Sequence, residues 1–226
     1  MAKSNRTAFI LTSLVILGLF SLAGAVTLLA LRMQLNSGSS STSTSSVEST
    51  PSSPALPGER SQALEQVPLE SDRGVDYRKL REYLQQRNWK AADQETYERL
   101  LDAAGPKAQS QGFTPQDEMD RLSCKDLRTV DQLWSNASNG RFGFTSQQNI
   151  LRALGDYRKM YAQVGWQRSS GEWLIEWNYD PQTRRINYRP GKEPDFTSPP
   201  SGHLPTVERG YNFDVSLDAA LKRCNF

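Results

Sequence analysis

The chain has 226 residues, 37% of them hydrophobic, with 27 Lys+Arg against 25 Asp+Glu and a mean hydropathy of −0.63. A net charge of +2 gives no sequence-wide electrostatic case for nucleic acid, and two cysteines with one histidine exclude a disulfide-dense scaffold and a Cys/His zinc cluster. The length fits one ordinary domain with appendages.

After a flank at 1–8, residues 9–31 carry no charge. At 1.5 Å per residue they span roughly 35 Å, enough for a hydrocarbon core of about 30 Å. Ala23-Gly24-Ala25 resembles a signal-peptide cleavage site, but Val26, Leu28, Leu29 and Leu31 continue the apolar run beyond it. The segment is therefore expected to be one uncleaved transmembrane helix. Lys3 and Arg6 precede it and Arg32 follows, a bias that keeps the N-terminus cytoplasmic and sends the rest across. The Ser/Thr/Pro-rich stretch after it offers little to bury, so 32–74 is expected to be a disordered tether.

Asp76 is a candidate N-cap for a helix with Tyr77, Leu80 and Leu84 on one stripe, broken at Arg87-Asn88. Trp89, Ala92, Thr96, Leu100 and Ala104 mark a second helix, stopped by Gly105-Pro106. The pair forms an αα-hairpin with no second copy, which argues against a solenoid. Gly112 to Asp120 reads as a loop whose Asp117, Glu118 and Asp120 face solvent.

Ser123 caps a helix carrying Leu127, Val130, Leu133 and Trp134, which Asn139-Gly140 ends. Phe142 and Phe144 flank Gly143, where a missing Cβ admits another backbone or a flat ligand. The two rings suit either a core or a pocket floor. Thr145 and Gln148 make a capping-box pattern for a longer helix with Ile150, Leu154, Tyr157, Tyr161 and Val164 on its apolar face, ended by Gly165.

Trp173, Ile175, Trp177 and Tyr179 then alternate with Leu174, Glu176 and Asn178, the period of a strand. Asp180-Pro181 turns the chain, and Arg185–Tyr188 returns as a second strand. Prolines fix an extended loop at 199–205 around His203, the one histidine. That residue is a backbone-bonded loop histidine, or a catalytic partner for Cys124 or a serine, although nothing near Cys124 suggests activation. Residues 210–226 form a tail with a short helix at Val215, Leu217, Ala220 and Leu221, and Cys124 and Cys224 are taken as free thiols, with a disulfide between them as the alternative for an exported domain. The fold class is mainly α: a compact helical domain at 75–209 with a β-hairpin insertion, preceded by one transmembrane helix.

The run GRFGFTSQ, preceded by CKDLRTVDQLW and followed by VGW, together with RNWKAADQETYERLL and SGHLP, resembles the genomes-uncoupled-four family of tetrapyrrole-binding regulators of magnesium chelatase. The resemblance runs in order from Val75 to Pro205, but TRRINYRPGKEP departs from the family pattern. It implies a cupped helical domain that binds protoporphyrin IX or Mg-protoporphyrin without catalytic residues, metal ligands or nucleic acid, with a magnesium chelatase subunit as partner. By that match the slot is lined by Phe142, Phe144, Trp166, Phe196 and Leu204, with Trp173 and Trp177 as further members and His203 as a candidate axial ligand to a metalloporphyrin. Arg141, Arg184 and Arg185 are placed at the rim for the propionates. A cytoplasmic or stromal partner and the charge bias around 9–31 point to opposite faces of the membrane, so the side stays open. The alternative function is a protein-interaction module that keeps the fold without the ligand.

Overall fold

The computed structural model describes residues 62–206 and 216–226. The expected membrane segment at 9–31, its flank and most of the tether lie outside the described residues, among which no helix is long and apolar enough to cross a membrane.

Asp76 accepts the Arg78 amide at the start of α1 (Arg78–Gln85), which buries Leu80 and Leu84. Arg87, at φ 53°, turns the chain, and the Asn88 side chain accepts the Ala91 amide to open α2 (Trp89–Ala104). Both helices pack on α5 (Cys124–Ser138), N-capped by Ser123 and closed by Asn139 in the left-handed conformation. Trp134 of α5 donates its indole N–H to Thr96 of α2 at 2.9 Å, so the polar tip of this buried ring is satisfied.

Four expectations are corrected. Residues 62–74 are not tether: Leu64 and Val67 are 2% and 6% exposed. Arg81 donates to the Val67 carbonyl, and Thr129 donates to that of Glu70. Polar average composition hid this short apolar patch. The loop expected from Gly112 to Asp120 contains α4 (Gln116–Met119), and α3 (Pro106–Gln111), which the sequence did not mark, precedes it. Glu118, expected in solvent, is buried and accepts the Lys107 and Ala108 amides, satisfying donors that a helix start leaves unpaired. The long helix after Phe144 is two, α6 (Phe144–Leu154) and α7 (Tyr157–Gln163), because Gly155 adopts φ 64° and Asp156 caps a new start.

The fourth correction concerns the C-terminus. After β1 (Trp177–Asp180) and β2 (Arg185–Tyr188), an antiparallel hairpin pairing Trp177 with Tyr188, the chain ends in α8 (Asp218–Arg223). The short helix expected in the tail is present, and it packs on the domain: Leu217, Ala220 and Leu221 are buried, and Asp218 accepts from Gln148 and Tyr157 at 2.8 and 2.6 Å. Cys124 and Cys224, expected as free thiols, form a disulfide with Cα atoms 5.3 Å apart. The cross-link joins the start of α5 to the end of α8.

Candidate functional site

The turn at 140–144 and the loop at 199–205, which carry the expected slot residues Phe142, Phe144 and Leu204, are bonded together. The Gly143 amide donates to Leu204 O at 2.9 Å and the Gly202 amide to Arg141 O at 2.8 Å. Gln147 donates its side-chain amide to the carbonyls of Gly202 and Pro205. Phe142, Phe144, Trp166 and Leu204 are consequently core side chains, none more than 1% exposed. Gly143 is required for a close approach, as its sequence suggested, but what approaches is Asp131: a Cβ there would lie 2.6 Å from its carboxylate. That carboxylate accepts the amide and hydroxyl of Thr145 and so caps α6. Burial raises its pKa, with the Thr145 bonds opposing.

His203 is also interior. Its Nδ1 bonds Val164 O at 2.6 Å and its Nε2 accepts the Asp195 amide at 3.0 Å, so both ring nitrogens are engaged and neither offers a lone pair to a metalloporphyrin. The pattern requires the neutral ring protonated on Nδ1. Burial lowers its pKa, although Val164, Asp93 and Asp195 favour the charged form. A histidine held neutral contributes stability above its unfolded pKa of about 6.5, and that contribution is lost as pH falls below it. Urea midpoints at pH 7.5 and 5.5 are therefore expected to drop more in the wild type than in His203→Gln. Asp131, whose raised pKa acts with the opposite sign, is common to both proteins and cancels. Equal drops would contradict this role.

Aromatic side chains that keep some exposed surface gather around α7 and the hairpin. A row of rings runs from α7 along the hairpin: Tyr157–Tyr161 at 6.5 Å, Tyr161–Trp173 at 5.4 Å and Trp173–Trp177 at 6.0 Å. Trp177 is registered against Tyr188, whose ring lies 6.5 Å from Phe196. Trp166, 5.7 Å from Tyr161, supports the row from beneath. Except for Tyr161, which is buried, the rings of this row are half-buried and packed against the core. Polar tips fix two of them, Tyr157 to Asp218 and Tyr188 to Asp93, each within 2.7 Å. Beside the row, α7 and the 167–171 loop bound a cleft of about 500 Å³ lined by Tyr157, Arg158, Tyr161 and Gln167. Its lining is more polar than apolar, so any flat apolar ligand would rest on the rings beside it while the cleft received polar groups.

Of the expected lining residues, Trp173, Trp177 and Phe196 fall in this row. Tyr157 and Tyr161 sat on a helical stripe and Tyr188 on a short strand, so periodicity assigned them to packing; the α7 break and the strand register bring them together. The rim arginines are committed elsewhere or distant. Arg141 donates to Pro199 O at 2.7 Å, and Arg185 pairs with Glu98 and donates to Gln109 O, clamping the hairpin to α2 and α3. Arg184 is exposed at the hairpin turn, its carbonyl seated on Gly112, where any Cβ would overlap it.

Residues 70–213 match the family model described as GUN4-like. The chain is 32% identical over 156 residues to a Ycf53-like protein of Synechocystis sp., covering 66% of this chain and 60% of that protein. It is 29% identical over 127 residues to the Arabidopsis thaliana tetrapyrrole-binding protein, chloroplastic, covering 56% and 46% respectively. The chain thus spans about half the length of the curated relatives it matches. The structure of GUN4 from Chlamydomonas reinhardtii superposes with a TM-score of 0.54 at 27% identity, over 72% of this chain and 96% of that one.

Proposed function

Since the chain belongs to the GUN4-like family, we propose that it is a non-enzymatic tetrapyrrole-binding protein, acting as a regulator or sensor in chlorophyll and tetrapyrrole biosynthesis. The observation that carries this reading is the row of half-buried rings beside a cleft of about 500 Å³, in a chain related to a protein named for tetrapyrrole binding. The ligand is protoporphyrin IX or its magnesium form, a flat apolar plate with two carboxylates. Covering ~300 Å² of ring surface is worth about 7 kcal/mol gross. Association costs offset several kcal/mol of this, so rigid, pre-placed rings and charged contacts decide whether micromolar affinity is reached.

The compartment belongs to the same proposal. Residues 9–31 anchor the protein, and the Cys124–Cys224 disulfide suits an oxidising space better than a cytosol kept reduced by glutathione. The cationic flank ahead of the anchor favours the same arrangement, N-terminus in the cytoplasm and domain across the membrane. A cytoplasmic magnesium chelatase would then be out of reach, leaving pigment sensing, trafficking or photoprotection as the role.

A second reading has one observation in its favour. The bonded loops fill the slot expected between Phe142 and Leu204, as in a protein-interaction module that keeps the fold without the ligand. Titrating the full chain in detergent with protoporphyrin IX, with empty micelles as blank, separates the two. The tetrapyrrole reading expects saturable quenching of tryptophan fluorescence at low micromolar ligand, weakened about tenfold or more in Trp173→Ala/Trp177→Ala. The interaction module expects the blank trace.

A further inference from the structure

Cations around the aromatic row are nearly all occupied. Arg168 pairs with Glu172, and Arg189 and Lys192 share Glu176. Arg152 bonds Asn149 and the Phe226 carbonyl, and Lys222 pairs with Asp218. Arg158 and Lys159, adjacent and exposed on α7, differ: neither side chain has an ion pair or hydrogen bond to any described residue.

Their position gives this a use. Arg158 lines the cleft of about 500 Å³ and also a neighbouring hollow of about 350 Å³, where Lys159, Gln163 and Ser169 join it. The first cleft holds Tyr161, the ring in contact with Trp173. It also holds Gln167, whose side-chain amide has no bond to a described residue. Asp156, the one carboxylate in its lining, accepts the Lys159 amide at 2.8 Å and is in part occupied as the α7 cap. The half-buried Tyr157 ring thus borders a hollow that shares Arg158 with its neighbour, and the two between them hold a second uncommitted cation and an uncommitted amide.

We propose that Arg158, seconded by Lys159, is the carboxylate-reading end of the site, so that the protein selects tetrapyrroles with free propionic acids over their esters. This rests on the tetrapyrrole reading above and adds a specificity determinant to it. The macrocycle lies against the half-buried rings of Tyr157 and Trp173, with its propionate edge turned to the Arg158 guanidinium, which can hold a carboxylate in bidentate fashion. An esterified ring keeps the stacking surface but loses the charge-assisted bonds.

The test measures Kd for protoporphyrin IX and for its dimethyl ester on the full chain in detergent, using wild type, Arg158→Gln and Arg158→Lys. The wild type is expected to hold the diacid about tenfold more tightly, a preference that shrinks as salt rises. Arg158→Gln is expected to erase that preference while leaving the ester Kd unchanged, and Arg158→Lys to keep part of it. Equal wild-type affinity for acid and ester overturns the proposal alone, as does an Arg158→Gln variant that weakens both ligands alike or neither. A wild type that binds neither compound overturns the tetrapyrrole reading and this proposal with it.

Discussion

Phe144→Ala is expected to destabilise the folded domain by about 3–5 kcal/mol, and Phe142→Ala by a similar amount. Phe144 is the first residue of α6 and sits edge-on to Phe226 of the C-terminal segment at 6.3 Å. Phe142 lies edge-on to Trp89 and Trp134, at 5.3 and 6.1 Å. Each truncation leaves a cavity among rings already held by other constraints: Gly143 is bonded to Leu204, and Trp134 is tied to Thr96. The site therefore has little freedom to collapse, and the loss lies toward the upper part of the range. Set against a typical total of about 5–15 kcal/mol, a single change removes a large share. Denaturant midpoints fall well below wild type for either variant. Wild-type midpoints combined with lost pigment uptake would return both rings to a ligand slot.

Removing the disulfide carries the next largest effect. Cys124 and Cys224 are 100 residues apart in sequence, and cross-linking a loop of that length is worth about 4–5 kcal/mol through the unfolded chain. Cys224→Ser, or reduction of the wild type, is expected to lower the thermal midpoint by roughly 10 °C. The start of α5 and the end of α8 would then be joined only by weaker contacts, among them the Arg128 bond to the Cys224 carbonyl and the Arg223 bond to that of Leu122. The same bond reports compartment. In intact cells both thiols are expected to resist a maleimide until a reductant is added. Free alkylation without reductant would set the domain on the cytoplasmic side and bring the chelatase back within reach.

Local signals gave much of the helical framework. Ser123 capped α5 as its spacing suggested, Asn139 took the left-handed position that its place after Trp134 called for, and Arg87-Asn88 broke the first hairpin. The hairpin of β1 and β2 followed from the alternation around Trp177. What was not legible depended on partners distant in sequence. Glu118 looks solvated until the start of α3 needs its oxygens, and Leu64 and Val67 look like tether until Arg81 and Thr129 bind the backbone around them.

The candidate site shows the same division. Aromatic content marked Trp173, Trp177 and Phe196, but a one-dimensional pattern cannot say which face of a ring is covered. The turn between Phe142 and Phe144 reads equally as a slot or a seam, and hydrogen bonds from residues some 60 positions away, Gly202 and Leu204, make it a seam. Register across the hairpin, and the break at Gly155, bring in Tyr188 and Tyr161.

Hydrogen–deuterium exchange on the full chain, with and without saturating protoporphyrin IX, tests the central claim most directly. The account predicts slowed exchange along α7, the 167–176 loop and the hairpin of β1 and β2, with amides near Phe142 and Leu204 unchanged because they are already closed. Protection confined to the 140–144 turn and the 199–205 loop, or none anywhere, would contradict it.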